Sequence, residues 1–415
     1  MASQPAPDSG ERPGDRYVPG AQGPLRPRKT RRTDWGVWWR EIDRVLLVLV
    51  ISLMAIGTLA VAASSPASAR RLSTARVKLD DLYFFMMHLR WQALGLLVML
   101  GASRLTRENA RRGGVILGFV MLVALMLVPV VGGSVNGAKR WLNFGVSLQP
   151  SEFLKPAFAI SLAWILSWRL RDPKMPVMAI CTAIMILVGA LLMAQPDFGS
   201  AVLFGVVWFV MMVLAGLPRR LIWGMIGIVP VMLGLVYAFY ENGRHRIDAF
   251  LGGGTDYDQV YQAHKALVAG GWTGSGLWLG TRKLGLPEAH TDYIFSVIGE
   301  EFGLLMCGLI VVLYFAVVAR VLIRLTQEED LFTVLAASGL VVQLGAQAFI
   351  NILVNLQLFP SKGMTLPLIS YGGSSTLALC LNVGFLLAIT RRNPYLRRDP
   401  FAAKGPLSSI LGLFS

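Results

Sequence analysis

The chain has 415 residues, 54% hydrophobic and 15% charged, with three cysteines, a formal net charge of +15 and a mean hydropathy of +0.57. Soluble domains carry about 25% charged residues, so this composition excludes a string of soluble domains, a mostly disordered chain and, with Cys181, Cys307 and Cys380 each inside an apolar run, a disulfide scaffold or a Cys-based zinc site. The positive charge reads as the basic flanks of membrane spans; no basic-aromatic platform for stacking bases occurs, which argues against nucleic acid as a partner.

Residues 1–34 are rich in Pro, Gly, Arg and Asp and include Arg26, Arg28, Lys29, Arg31 and Arg32. No apolar core follows the start, so this stretch is expected to be a disordered basic tail, running to about residue 43, and not a signal peptide. Trp35, Trp38 and Trp39 precede the first apolar run, as an interfacial aromatic belt would. A membrane-spanning helix needs about 20 mostly apolar residues. Ten candidates follow, near 45–63, 83–102, 114–131, 151–168, 176–194, 198–216, 221–240, 293–322, 332–356 and 366–390. His88 and Arg90 interrupt the second, and Glu300 and Glu301 make the start of the eighth polar. The expected architecture is an all-α polytopic membrane domain over 44–392, with a second tail at 393–415.

Short-loop Lys and Arg residues set orientation. Arg104, Arg107, Arg111 and Arg112 follow span 2; Arg169, Arg171 and Lys174 follow span 4; Arg219 and Arg220 follow span 6; Arg320 and Arg324 follow span 8; Arg391, Arg392, Arg397 and Arg398 follow span 10. With the basic N-terminal tail, these fall on one side, which places both termini in the cytoplasm and the long Gly-rich segment 241–292 outside. Arg70, Arg71, Arg76 and Lys78, after span 1, are the exception. No fixed-period repeat and no pair of matched broken spans is visible, and there is no Walker A loop, dinucleotide fingerprint or Gly-x-Ser-x-Gly elbow.

Four polar stretches carry the chemistry. Lys139-Arg140-Trp141 is followed by Gln149-Pro-Ser-Glu152-Phe-Leu-Lys155, where the i,i+3 spacing puts Glu152 and Lys155 on one helix face. The pair reads either as a helix-start ion pair or, with Lys139 and Arg140, as a cationic cluster for a pyrophosphate or other anionic headgroup. Pro287-Glu288-Ala-His290-Thr-Asp292 leads into span 8 and Glu300-Glu301. Asp292 reads as a helix N-cap, as a general base with a burial-raised pKa, or as both. Gln195-Pro-Asp197-Phe-Gly-Ser200 reads as a tight turn. The fourth stretch is Phe359-Pro-Ser-Lys362, running on through Pro367-Leu-Ile-Ser370-Tyr371-Gly372-Gly373-Ser374-Ser375. Its glycines should break the helix, and irregular backbone at membrane depth must be buried in protein or line a wet cavity.

Taken in order, these motifs closely resemble the SEDS family of bacterial membrane proteins, over about residues 130–390, and its cell-division member more than its elongation member. The resemblance implies a peptidoglycan glycosyltransferase that polymerises lipid II and releases undecaprenyl pyrophosphate. It implies a place in the bacterial inner membrane at the division septum, beside a class B penicillin-binding protein (a transpeptidase) and other divisome proteins. The family's essential loop aspartate falls on Asp292 and its span 4 lysine on Lys155, beside Glu152. The expected substrate-binding set is Lys139, Arg140, Trp141, Glu152, Lys155, His290 and Ser374, around lipid II and the undecaprenyl-linked glycan chain, with a divalent cation (Mg or Mn) as an expected helper for the leaving group. The segment Phe250–Gln262 departs from the family pattern, so no role passes to Asp256 or Asp258. Two other classes fit polar groups within spans: a lipid II flippase, and a non-catalytic scaffold that recruits the transpeptidase.

Overall fold

The computed structural model describes residues 34–74, 78–135, 138–143, 147–170, 172, 174–252, 255–360 and 363–392. Of the tail expected over 1–43, residues 1–33 lie outside the described residues and 34–41 are helical rather than disordered; the expected tail at 393–415 also lies outside the described residues, as do Arg76, Arg171, Ser361, Lys362 and the side chains of Asp256 and Asp258.

Helix α1 (Asp34–Glu41) carries the tryptophans, with the rings of Trp35 and Trp38 edge to face at 5.7 Å. The apolar runs then form α2 (Arg44–Leu72), α3 (Tyr83–Ser103), α4 (Arg107–Val131), α5 (Pro150–Ser167), α6 (Val177–Ala194), α7 (Phe198–Leu214) and α8 (Arg219–Phe239). After these come α9 (Glu241–Phe250), α10 (Thr255–Ala269), α11 (Ile294–Leu325), α12 (Leu331–Asn355) and α13 (Gly373–Ile389). Several starts are set by side chains that satisfy orphan amides. Asp43 accepts from Val45 and Leu46, Thr106 from Asn109, Asp197 from Ser200 and Asp330 from Thr333. Among the described residues eight helices are long and apolar enough to cross a membrane; α7 and α13 are apolar but shorter. Each expected span overlaps one of these ten helices, eight of which are long enough to cross a membrane.

The core is built around α5 and α12, which are buried along most of their length. Lipid gives helices little reason to associate by hydrophobicity, so small residues at close crossings do that work. A Cβ on Gly384 of α13 would stand 2.8 Å from the Met99 carbonyl oxygen of α3, and one on Gly339 of α12 would stand 2.8 Å from the Met211 sulfur of α7. By contrast α8 has no buried residue.

Two departures from the sequence reading matter for the site. The segment 241–292, read as a loop, contains α9, α10 and a 3₁₀ turn at Arg282–Gly285. Val260 and Ala263 of α10 join Ala63, Leu286, Ala289, Tyr293, Val297 and Val354 in one buried cluster. The other departure is the last span, expected from 366 but helical only from Gly373. Residues 366–372 run irregularly because Pro367 interrupts the ladder and Leu368 has φ of 65°. Leu366, Leu368, Ile369 and Ser370 are buried, so this backbone is shielded from lipid as expected.

The helix α11 is also broken, at Gly303 (φ 79°, ψ 175°). The freed backbone groups are taken up by the chain at 271–276. Leu304 and Leu305 amides donate to the Gly271 and Trp272 carbonyls at 2.9 and 3.2 Å, and Ser275 and Gly276 amides donate to the Glu300 and Glu301 carbonyls at 2.8 and 3.0 Å. The Glu300 carboxylate accepts from the Arg282 and Lys283 amides at 2.6 and 2.8 Å. Glu301 accepts from the Gly280 amide at 3.2 Å, from the Trp278 amide and from the Lys283 ammonium. These two acids therefore anchor a loop to α11.

The bundle has two distinct ends. One is collared by ion pairs: Asp43 with Arg320 (3.0 Å) and Arg324, Arg107 with Glu328 (3.4 Å) and Arg391 with Glu41 (3.1 Å). The other carries an antiparallel sheet in the order β1 (Gly133–Val135), β2 (Ala138–Asn143), β3 (Ser147–Leu148), together with α9, α10 and the chain leading into α11.

Candidate functional site

Asp292 sits on the turn 287–293 that delivers the chain into α11. The cap position is Tyr293, one residue later, with no side-chain cap, so the N-cap reading of Asp292 does not hold. Among the described residues its half-buried carboxylate has no hydrogen-bond or ion-pair partner. The turn itself is tightly held. Glu288 adopts a φ of 52°, its carbonyl accepts from the Thr291 and Tyr293 amides at 3.1 and 3.3 Å, and its carboxylate accepts from the Thr291 hydroxyl at 2.8 Å. The irregular segment before α13 closes over it: the Ser370 hydroxyl donates to the Thr291 carbonyl at 2.6 Å, and the Tyr371 amide to the His290 carbonyl at 3.0 Å.

The carboxylate opens onto a small cleft lined by Tyr293, Ile350, Asn351, Val354, Gly363 and Met364. Burial is the main reason its pKa is pushed up to about 7; the Glu288 and Glu152 charges push the same way, and Arg246 and Arg140 pull against them. A carboxylate poised there is fit to take a proton near neutral pH.

Glu152 and Lys155 form the expected pair, at 2.7 Å and nearly enclosed. Glu152 Oε2 has no partner among the described residues. Lys155 faces Gln347 Oε1 of α12 at 3.4 Å, and Gln347 Nε2 donates to the Thr365 carbonyl at 3.0 Å. One turn on, Asn351 Nδ2 donates to the Met364 and Asp292 carbonyls at 2.6 and 2.8 Å. Asn355 Nδ2 donates to the same Asp292 carbonyl at 3.2 Å, and its Oδ1 accepts from the Ser296 hydroxyl at 2.7 Å. Gln343, Gln347, Asn351 and Asn355 thus form a buried polar stripe.

The other expected residues are distributed as follows. Lys139 is exposed on β2, 3.4 Å from the Pro129 carbonyl. Arg140 donates to the Gln195 carbonyl at 3.1 Å and to that of Pro196, pinning the sheet to the 195–197 turn, while its charge reaches Asp292. Trp141 is half-buried on β2 opposite Gly133. His290 is buried with its ring 4.3 Å from Phe84 and 5.4 Å from Tyr371. Burial drives its imidazole down to about 4 against the opposing Glu288 charge, so it is neutral at pH 7 and packs the turn. Ser374 is half-buried in the first turn of α13; the hydroxyl that reaches the Asp292 turn is Ser370.

No site role was assigned from sequence to Arg246, Ser370, Gln347, Asn351 or Asn355. The last three carried a signal, because 343, 347, 351 and 355 are polar positions at strict i,i+4 spacing inside an apolar run. Among the described residues no group of three or more His, Cys, Asp or Glu could hold a metal ion.

A bundle of apolar helices that carries, among the described residues, a near-neutral acid at the end opposite its arginine collar fits a multi-pass membrane enzyme working at an interface. The chain belongs to the FtsW/RodA/SpoVE family of cell cycle proteins, whose model matches residues 43–395. It is 37% identical over 369 residues to the "Probable peptidoglycan glycosyltransferase FtsW" of Caulobacter vibrioides, covering 88% of this chain and 93% of that protein. Its identity to the same-named protein of Methylococcus capsulatus is 36% over 368 residues, covering 86% and 91%. Among solved structures it resembles a chain of a peptidoglycan synthase complex described as coordinating polymerization and crosslinking (TM-score 0.71, 28% identity, 86% of this chain and 100% of that one). It also resembles the rod shape determining protein RodA of Thermus thermophilus (TM-score 0.62, 26% identity, 85% and 97%).

Proposed function

We propose that this protein is the peptidoglycan glycosyltransferase of a septal synthase, polymerising lipid II with Asp292 as general base. The observation that carries the mechanism is the Asp292 carboxylate: unpartnered among the described residues, raised to about 7, and open to a cleft. The positive-inside rule assigns the arginine-collared end to the cytoplasm, which puts Asp292 and both ends of the sheet outside and the starts of α2 and ends of α13 inside. Two lipid-anchored substrates then present their sugars at this end while their tails stay in the membrane.

In the reaction Asp292 takes the proton from the acceptor's sugar hydroxyl. That oxygen attacks the anomeric carbon of the donor, and the bond to the lipid pyrophosphate breaks. Pyrophosphate is already a good leaving group, so stabilising its charge matters more than protonating it. Arg140 and Arg246 supply positive charge around the acid. Lys155 acts from below, its charge shared with Glu152. The crosslinking partner is a class B penicillin-binding protein, in keeping with the synthase complex that this fold resembles.

The test is polymer formation by the purified protein on lipid II, with and without that transpeptidase, beside a lipid II flipping assay in proteoliposomes. Glycan strands in the product support the reading. Flipping without polymer makes the protein a transporter, and neither activity makes it a scaffold.

A further inference from the structure

Catalysis by a single carboxylate depends on where it is held, and among the described residues the Asp292 side chain has no hydrogen-bond partner while its main chain is fixed. We propose that Asn351 and Asn355 are positioning residues: their carboxamides fix the Asp292 carbonyl and thereby the reach of its carboxylate to the acceptor hydroxyl. This inference rests on the reading of Asp292 as the base.

The geometry is specific. Both N–H groups of Asn351 are committed, one to the Asp292 carbonyl (2.8 Å) and one to the Met364 carbonyl (2.6 Å). Asn355 gives one N–H to the Asp292 carbonyl (3.2 Å) and the other to the Asn351 carbonyl (2.9 Å). Its Oδ1 accepts from both the amide and the hydroxyl of Ser296 in the first turn of α11. The two side chains are therefore locked, and they lash α11, the Asp292 turn and the segment at 364 to one face of α12. Met364 and Asp292 both line the cleft, so the Asn351 bridge sets its width.

A hydrogen bond made to the carboxylate itself would favour its charged form and lower its basicity. Holding the neighbouring carbonyl positions the base without that cost. Gln347, one helical turn (about 6 Å) below Asn351, makes the equivalent bridge between Lys155 and the Thr365 carbonyl. A single helix thus spaces the proton acceptor from the buried cation.

The experiment uses purified full-length protein with its transpeptidase present throughout, and measures lipid II polymerisation against substrate concentration and pH for Asn351→Leu, Asn355→Leu and Asp292→Asn. The groups that face Asp292 are Glu288 on its own turn, Arg246 on α9, Arg140 on β2 and Glu152 on α5, and all are left intact. The expected result for either Asn variant is a fall in kcat of about 10- to 100-fold, with KM within about twofold. The acid limb of the pH profile should move downward, because a loosened turn lets water reach the carboxylate. A merely structural role would leave that limb in place. Should Asn351→Leu fail to fold, Asn355→Leu is read by the same criteria, since it leaves the Met364 bridge intact. A near-normal kcat, or a loss with an unmoved acid limb, beside an inactive Asp292→Asn overturns the positioning role alone. An active Asp292→Asn overturns the base assignment and this inference with it.

Discussion

Lowering the pH from 8 to 6 should slow polymerisation about tenfold. The sign follows from the environment of Asp292. Burial and the Glu288 charge raise its pKa to about 7, so the proton stays on at pH values where an ordinary carboxylate is ionised, and only the deprotonated form can act as base. The ionised fraction is about 90% at pH 8 and about 10% at pH 6 for a pKa near 7, whereas an unperturbed aspartate is over about 98% ionised at both. The assay is the initial rate of glycan formation at subsaturating lipid II in buffers of constant ionic strength, with refolding to pH 8 as a check on reversibility. The neighbours give the limb two handles of opposite sign. Glu288→Gln removes a like charge and should move it down, by less than about one unit because Glu288 is exposed and screened. Arg246→Gln removes an attracting charge and should move it up. A profile that is flat from 6 to 8, or that shifts the same way in both variants, would refute the electrostatic reasoning.

Other outcomes follow from the packing. Lys155→Met leaves the enclosed Glu152 without its cation and should cost about 3–5 kcal/mol, read as thermal unfolding in detergent, with most of the loss recovered in the Glu152→Leu/Lys155→Met double variant. Gly303→Ala forces a side chain into a backbone conformation open essentially to glycine, and its Cβ would overlap the Trp272 carbonyl. It should lower stability by at least about 1–3 kcal/mol and speed hydrogen exchange at Leu304 and Leu305, whose amides bridge the break.

The spans were legible because apolar length is a local property of the chain. The Glu152–Lys155 pair was legible because i,i+3 spacing fixes a helix face. The break before Gly373 was half-legible: Pro367 and the glycines announced irregular backbone, but the extent, down to 366, depends on burial against α2 and α11. The helix α10 was missed under a Gly-rich count, although Val260, Ala263, Ala266 and Leu267 keep a helical spacing. The acids Glu300 and Glu301 looked like candidates for chemistry, and only the tertiary structure shows them tied to the chain at 278–283. Likewise the lack of a partner for the Asp292 carboxylate among the described residues, and the hold of Asn351 and Asn355 on its carbonyl, are long-range facts: the i,i+4 spacing marks the asparagines but not what they grip.

The most direct test of the account compares glycan strand synthesis from lipid II by the purified protein and its Asp292→Asn variant at pH 8, with matched thermal unfolding of the two. General base catalysis contributes about 10²- to 10⁴-fold, so the variant should lose at least about a hundredfold in rate while unfolding at a similar temperature. A variant that polymerises within a few-fold of the parent would contradict the central claim.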